Sequence, residues 1–225
     1  MPPQAVLFGG TFDPIHHGHL LVARAVAEHF GFPRITFVPA AVPPHKLDPG
    51  ERGGRAASLR LPVASPEDRL EMVRLAIAGE EVFEVSDVEL RRPAPSYTIE
   101  TLLEFRRRLG QDARLYWLIG ADMLEDLPNW RRTKEVVEQA TIVTAVRQPF
   151  SRQIPEILGR IAGKLGTERA ARLEAGLCPT PTVDISSTAI RQRIFVGQSI
   201  LYLTHCRVIE YIKSRKLYSQ AAGSI

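Results

Sequence analysis

The chain has 225 residues, of which 44% are hydrophobic and 24% charged, and it carries a formal net charge of +4. This is the composition of a folded globular chain, not a disordered or collagenous one, and the length suffices for one large α/β domain with a full core. No apolar run approaches the roughly 20 residues of a membrane span, the start Met1-Pro2-Pro3-Gln4 lacks the basic and apolar regions of a secretory leader, and two cysteines, Cys178 and Cys206, in no metal-type spacing suit a reducing cytoplasm.

The apolar residues 5–8 predict a first strand that runs into Gly9 and Gly10. Residues 18–30 predict a helix, because Leu20, Ala23, Val26, Ala27 and Phe30 recur at spacings near three and four. Gly31 ends it. Residues 34–38 alternate and are rich in β-formers, giving a second strand, and the loop through Pro39, Pro43, Pro44, His45 and Lys46 is too rich in proline for a helix. Residues 47–64 hold glycines and small residues and predict a long loop. Ser65-Pro66-Glu67-Asp68 is a helix start with a Ser cap and proline in the first turn; that helix is expected to reach residue 78.

Residues 82–85 predict a third strand, and Ser96 can cap a helix over residues 97–109 that Gly110 stops. Its end, Arg106-Arg107-Arg108, favours the negative pole of the helix dipole. Residues 114–119 form a continuous apolar run, as in a strand covered on both faces. Short helices follow over 122–127 and 130–139, then a fifth strand over 141–146, helices over 153–164 and 167–175, a last strand over 182–185, and helices over 188–195 and 207–214. Alternation without internal repeats implies a doubly wound, mostly parallel sheet with helices on both faces, in a single domain over residues 1–225 whose helical C-terminal portion spans 186–218. Ligands of such sheets bind outside the carboxyl ends of the strands, which directs attention to residues 9–19, 39–46, 120–122, 147 and 186–191.

Neither common phosphate fingerprint is intact. No G-x-G-x-x-G follows the first strand. Gly159-Arg-Ile-Ala-Gly163-Lys164-Leu165 lacks one residue of a P-loop and has Leu165 where Ser or Thr belongs. The stretch His16-His17-Gly18-His19 is more informative. It sits at a strand–loop–helix junction, where backbone N–H groups and the helix dipole attract an anion, and Gly18 permits close approach. His16 and His19 can then donate to phosphate oxygens without a permanent charge. On spacing alone, surface or metal-binding histidines remain the alternative, with Asp13 as the nearby acid. Ser186-Ser187-Thr188-Ala189-Ile190-Arg191 is a second helix start with hydroxyls and an arginine one turn in. Alone it reads as a helix cap; paired with the first motif it becomes the other half of a triphosphate cradle.

Taken together, Gly9-Gly10-Thr11-Phe12-Asp13-Pro14-x-His16-x-Gly18-His19 and Ile185-Ser186-Ser187-Thr188-x-Ile190-Arg191 resemble the HxGH nucleotidyltransferase superfamily. The finer resemblance is to bacterial nicotinate-nucleotide adenylyltransferases. It is carried by Phe37-x-Pro39-x-x-x-Pro43-Pro44-His45-Lys46, Pro95-Ser96-Tyr97-Thr98-x-x-Thr101-Leu102, Ile119-Gly120-Ala121-Asp122-x-Leu124-x-x-Leu127-x-x-Trp130, and a tail holding Tyr202-Leu203, Val208, Tyr211-Ile212 and Leu217-Tyr218. The chain departs from the family pattern in longer 47–64 and 151–181 segments and in His205, where proline is common.

The resemblance implies transfer of the adenylyl group of ATP to nicotinate mononucleotide by direct in-line attack, giving nicotinic acid adenine dinucleotide and pyrophosphate in NAD biosynthesis. It implies that His16, His19, Lys46 and Arg191 act on the phosphates, with His19 facing the α-phosphate. It implies ATP contacts from Gly9, Gly10, Thr11, Phe12 (through backbone and side chain), Gly18, Arg147, Ser187 and Thr188. The mononucleotide would be held by Thr98 and the Arg131 N–H at its carboxylate, by Asp122 at a ribose and by Trp130 stacked on the pyridine ring. Mg²⁺ would ride on the ATP phosphates with no dedicated protein cage. The expected partners are these small molecules, in the cytoplasm, without nucleic acid or membrane; oligomeric state is not legible. A related adenylyl- or cytidylyltransferase acting on nicotinamide mononucleotide or phosphopantetheine is the nearest alternative. A non-catalytic nucleotide sensor or nucleic-acid-binding module, favoured only by the basic pI near 9.3, is the other.

Overall fold

In the computed structural model, which describes residues 2–42, 63–148 and 150–219, the apolar runs assemble into one parallel sheet. Its strands are β1 (Gln4–Gly10), β2 (Ile35–Pro39), β3 (Phe83–Val85), β4 (Arg114–Gly120), β5 (Thr141–Val146) and β6 (Leu177–Pro179), in the order β3-β2-β1-β4-β5-β6. Register is set by pairs such as Leu7 with Thr36 and Leu7 with Trp117, and every pairing is parallel. The order reverses beside β1, so the crevice at the carboxyl ends of β1 and β4 is the place where such a sheet binds a ligand.

Alternation along the strands divides the core between two faces. Val6, Phe8, Phe37, Leu118 and Val143 face one way, under α1 (His17–Phe30), α2 (Pro66–Ile77) and α9 (Cys206–Ser214). Leu7, Val38, Leu115, Trp117 and Ile119 face the other, under α3 (Thr98–Leu109), α5 (Thr133–Gln139), α6 (Ile154–Leu165) and α7 (Thr167–Ala175). Each large apolar side chain so buried contributes about 1.5–3 kcal/mol; the sheet edge that carries the loops therefore rests on a rigid floor.

Local signals act as the sequence requires. Ser65 caps α2 by accepting the Asp68 N–H at 3.0 Å. Gly31 ends α1 with a left-handed φ of 66°, and Ser186 caps α8 (Ser187–Phe195) by accepting from Ala189 N–H at 3.1 Å. Two expectations are corrected. The last strand is Leu177–Pro179, not residues 182–185. Gly176 accepts the Thr144 N–H at 2.9 Å, so pairing with β5 starts as soon as α7 ends, and after Thr180 donates to Val146 at 2.9 Å the ladder stops at Pro181, which has no N–H. The helices expected over 122–127 and 130–139 are shorter: α4 covers Ala121–Leu124, a 3₁₀ turn covers Leu127–Asn129, and α5 begins only at Thr133. Trp130 and Arg131 therefore sit in the intervening turn, closed by Thr133 Oγ1 donating to the Leu127 carbonyl at 2.8 Å. Lys46, His45 and most of the 47–64 segment lie outside the described residues.

Candidate active site

Residues 11–16 must turn the chain from the end of β1 into α1. Phe12 does so with a φ of 50°, and its ring is buried, edge-on to Phe8, Phe37 and His19 at centroid distances of 5.5, 5.5 and 5.0 Å. The ring is thus the floor under His19. Its side chain cannot meet a phosphate as expected from the sequence, because it faces the apolar core; only the backbone is on the loop. Gly9 and Gly10 are also shaped by packing. A Cβ on Gly9 would fall 2.3 Å from Trp117 Cζ2, and one on Gly10 would fall 2.8 Å from Phe12 Cζ.

His16 and His19 come together as a stacked pair, with ring centroids 3.7 Å apart and planes 23° apart. The His16 backbone N–H donates to His19 Nδ1 at 3.3 Å. His16 Nδ1 is buried without a hydrogen-bond partner. Burial lowers the His16 pKa to about 4, with Arg147 and His17 adding to the effect. Burial holds His19 well below its ordinary value, assisted by His16 and Arg147. Both imidazoles are therefore neutral near pH 7 and sit in a basic field with an unsatisfied ring nitrogen. A buried polar atom without a partner, beside groups with shifted pKa values, marks this junction as a candidate site. Gly18 keeps the approach open: a Cβ there would lie 3.0 Å from the His16 ring.

The second motif docks against the first. Ser187 Oγ donates to the Pro14 carbonyl at 2.8 Å, and Arg191 Nη1 donates to the Asp13 carbonyl at 2.6 Å. Arg191 Nη2 reaches Thr188 Oγ1 at 3.3 Å, and Arg191 Nε is buried without a partner. Arg147, at the end of β5, donates to the Val183 carbonyl at 2.9 Å and tethers the segment that leads into α8. The structure thus gathers His16, Gly18, His19, Arg147, Ser187, Thr188 and Arg191 at one sheet edge.

Across the β1–β4 crevice, Gly120 lets Asp122 fold back over the strand end, since a Cβ on Gly120 would fall 2.4 Å from Asp122 Oδ1. Asp122 is exposed and Trp130 half-buried. The Arg131 guanidinium lies 4.5 Å from the Tyr97 ring centroid. This cation–π contact brings the turn carrying Trp130 and Arg131 to the N-terminus of α3, where Thr98 is the first residue.

Three supporting residues have roles that the sequence reading did not assign. Arg69, only 3% exposed, donates to the Thr11 carbonyl at 2.7 Å and to the Ala41 carbonyl at 2.9 Å. Its signal was present: it shares the buried stripe of α2 with Met72, Val73 and Ala76, and a charge on an apolar stripe needs buried partners. Tyr218 donates to Asp13 Oδ1 at 2.7 Å, and that same oxygen accepts from Ala64 N–H at 3.1 Å. Glu89 is buried and accepts from Thr101 Oγ1 at 2.6 Å. Tyr218 stands in the tail that carries the resemblance, but nothing in the sequence ties it to Asp13, and Glu89 had no local signal. Among the described residues no group of three or more His, Cys, Asp or Glu side chains could hold a metal ion.

The comparisons agree with this geometry. Residues 7–193 match the cytidylyltransferase-like family model. The chain is 42% identical over 212 residues to a probable nicotinate-nucleotide adenylyltransferase of Synechococcus sp. (strain JA-3-3Ab), covering 94% of this chain and 93% of that one. It is 38% identical over 212 residues to a protein of the same name from Thermomicrobium roseum, covering 94% and 90%. Its fold is like that of the Plasmodium falciparum nicotinic acid mononucleotide adenylyltransferase complexed with NaAD, with a TM-score of 0.68 at 18% identity over 96% of this chain and 97% of that one. The chain belongs to the nicotinate-nucleotide adenylyltransferase family of cytidylyltransferase-like nucleotidyltransferases.

Proposed function

We propose that this enzyme transfers the adenylyl group of ATP to nicotinate mononucleotide. A phosphate oxygen of the mononucleotide attacks the α-phosphorus in line, the α–β bridging P–O bond breaks, and pyrophosphate leaves with the electron pair. The observation that carries the reading is the pairing of two half-sites across the β1–β4 crevice: stacked neutral imidazoles at His16 and His19 on one side, and Thr98, Trp130 and Arg131 on the other. No covalent enzyme intermediate is needed. Catalysis is positioning plus stabilisation of charge on the transferring and leaving oxygens.

His19 Nε2–H is the donor to the α-phosphate and His16 supports the same oxygens. Gly9, Gly10, Thr11 and the Phe12 backbone line the approach. Ser187, Thr188 and Arg191 hold the β- and γ-phosphates, Lys46 assists them, and Arg147 lies beside the adenine. Arg191 now rests on the Asp13 carbonyl and Thr188; a triphosphate would compete for the same donors. On the other side Asp122 accepts from a ribose and Trp130 stacks on the pyridine. Thr98 and the Arg131 N–H take the carboxylate, with the positive end of α3 favouring an acid over an amide. Mg²⁺ would be carried by the triphosphate, where it neutralises charge on the leaving pyrophosphate.

Small-molecule substrates in the cytoplasm, and not nucleic acid, suit the surface. Several exposed arginines are paired with acids, among them Arg91 with Asp87, Arg108 with Glu104 and Arg160 with Glu125 at 2.8, 2.8 and 2.9 Å, which lowers the positive field those side chains offer a polyanion. Among the described residues no helix is long and apolar enough to cross a membrane. The test is pyrophosphate release with MgATP and, in parallel, nicotinate mononucleotide, nicotinamide mononucleotide and phosphopantetheine. Turnover with the acid at the highest kcat/KM is expected. No turnover with any acceptor refutes the enzyme reading, and preference for the amide refutes the assigned acceptor.

A further inference from the structure

The two half-sites are joined by a chain of polar contacts, part-buried for most of its length and fully buried at Glu89 and Thr101. It starts at the phosphate loop, where Arg69 Nη1 donates to the Thr11 carbonyl at 2.7 Å. The other arm, Nη2, donates to the Ala41 carbonyl at 2.9 Å, in the loop after β2. Ala41 N–H then donates to Ser96 Oγ at 3.0 Å, and Ser96 N–H donates to the Val42 carbonyl at 3.0 Å. The Ser96 hydroxyl lies near the Glu89 carboxyl and lowers its pKa against the rise that burial imposes. Glu89 Oε1 also accepts from Thr101 Oγ1 at 2.6 Å, and Thr101 Oγ1 accepts from Arg92 Nη2 at 2.5 Å. Thr101 lies one turn beyond Thr98 on α3 and is fully buried.

The directions of these bonds are set by proton count. A hydroxyl has one proton to donate. Thr101 accepts from Arg92 and gives its one proton to Glu89, and Ser96, which accepts from Ala41 N–H, has its own proton free to turn toward the same carboxyl. The two hydroxyl groups thus share one carboxyl as their neighbour. An amide in its place carries no charge and replaces one acceptor oxygen with a donor, which weakens its hold on both hydroxyls. A buried polar network satisfied in part is worse than none.

We propose that Glu89 is a positioning residue that sets the acceptor half-site, through Ser96 and Thr101, against the phosphate loop held by Arg69. Glu89 does not touch substrate. It steadies the first turn of α3 through Thr101, so that Thr98 and the Tyr97–Arg131 contact stand at a set distance from His16 and His19. The inference rests on the acceptor assignment above.

The test uses the full chain with Glu89→Gln, Thr101→Val and Thr101→Ser, each checked for folding by its thermal midpoint. Steady-state kinetics are read separately for nicotinate mononucleotide and MgATP. Glu89→Gln and Thr101→Val should each raise KM for the mononucleotide by about tenfold, the scale of one lost buried hydrogen bond to a charged group, with KM for ATP changed less than about twofold. Thr101→Ser keeps the hydroxyl and should stay within about threefold of the parent for both. Equal effects on both substrates, no effect on either, or a Thr101→Ser as damaged as Thr101→Val would overturn the positioning role. Absence of turnover of nicotinate mononucleotide by the parent chain overturns the acceptor assignment and this inference with it. Parent turnover without the KM split overturns this inference alone.

Discussion

The backbone N–H of His16 donates to Nδ1 of His19, and that single bond decides which proton His19 can offer. An Nδ1 that accepts carries no hydrogen, so the neutral ring must carry its proton on Nε2. His16 thus aims His19 as a donor through its backbone while its own ring stacks alongside. Replacing His19 with Ala removes the donor and should lower kcat by about two to three decades, as for loss of one transition-state hydrogen bond. A kcat within about threefold of the parent would show that His19 lies off the reaction path.

The neutral imidazoles make the free protein sensitive to acid. An unfolded His titrates near 6.5 and folded His16 near 4, so between those values the unfolded state binds the extra proton. Stability is complete above about pH 6.5 and falls as pH drops toward 4, by up to about 3 kcal/mol from His16 alone. The Tm measured from pH 7 to 4.5 should fall less steeply in His16→Gln than in the parent. Equal slopes would mean that His16 is not buried neutral.

The same reasoning gives a sign for nucleotide binding. A triphosphate stabilises imidazolium, which raises both pKa values in the complex, so ATP binding near pH 5.5 should take up protons. Titration calorimetry in buffers of different ionisation enthalpy reads that number directly. Proton release on binding would contradict the placement of the phosphates at these rings.

Tyr218 lies far from the phosphate loop in sequence yet donates to Asp13 Oδ1, and the Asp13 carbonyl in turn supports Arg191. Tyr218→Phe leaves a buried carboxylate one donor short, a loss of about 1–3 kcal/mol. A fall in Tm of roughly 3–8 °C and a several-fold lower kcat are expected, with KM for the mononucleotide little changed. Unaltered Tm and kcat would mean that the hydroxyl contributes nothing to the loop.

Trp130→Ala should raise KM for the pyridine nucleotide by about tenfold or more, the scale of a lost stacking platform, with a small effect on ATP. Tyr97→Leu removes the partner of Arg131 and should act in the same direction by a few-fold. An effect confined to ATP in either variant would place the pyridine elsewhere.

What was legible in the sequence followed from local physics. The strand–loop–helix junction at His16, the caps at Ser65 and Ser186 and the apolar stripe of α1 depend on residues within one or two turns of each other. The last strand was misplaced because residues 182–185 have strand-like composition, while the actual partner of β5 is selected by where α7 ends. The Phe12 ring was assigned to substrate because its position in the motif says nothing about which way it points; a φ of 50° turns it inward. Arg69 and Tyr218 take partners 58 and 205 positions away, and no local window of sequence holds both ends of such a bond; Glu89 meets Thr101, 12 positions on, across an irregular stretch whose path local propensity does not set.

The glycine at position 9 sits in a stretch read as phosphate-binding, yet the space a side chain there would take belongs to the Trp117 ring. Gly9 and Trp117 are accordingly a volume-complementary pair. A larger residue at position 9 becomes admissible only when the indole is exchanged for something smaller, so the two positions should drift together, and a library randomising both should recover active combinations that neither position yields alone. A residue type that looks dedicated to the ligand is, in this loop, dictated from beneath by the core.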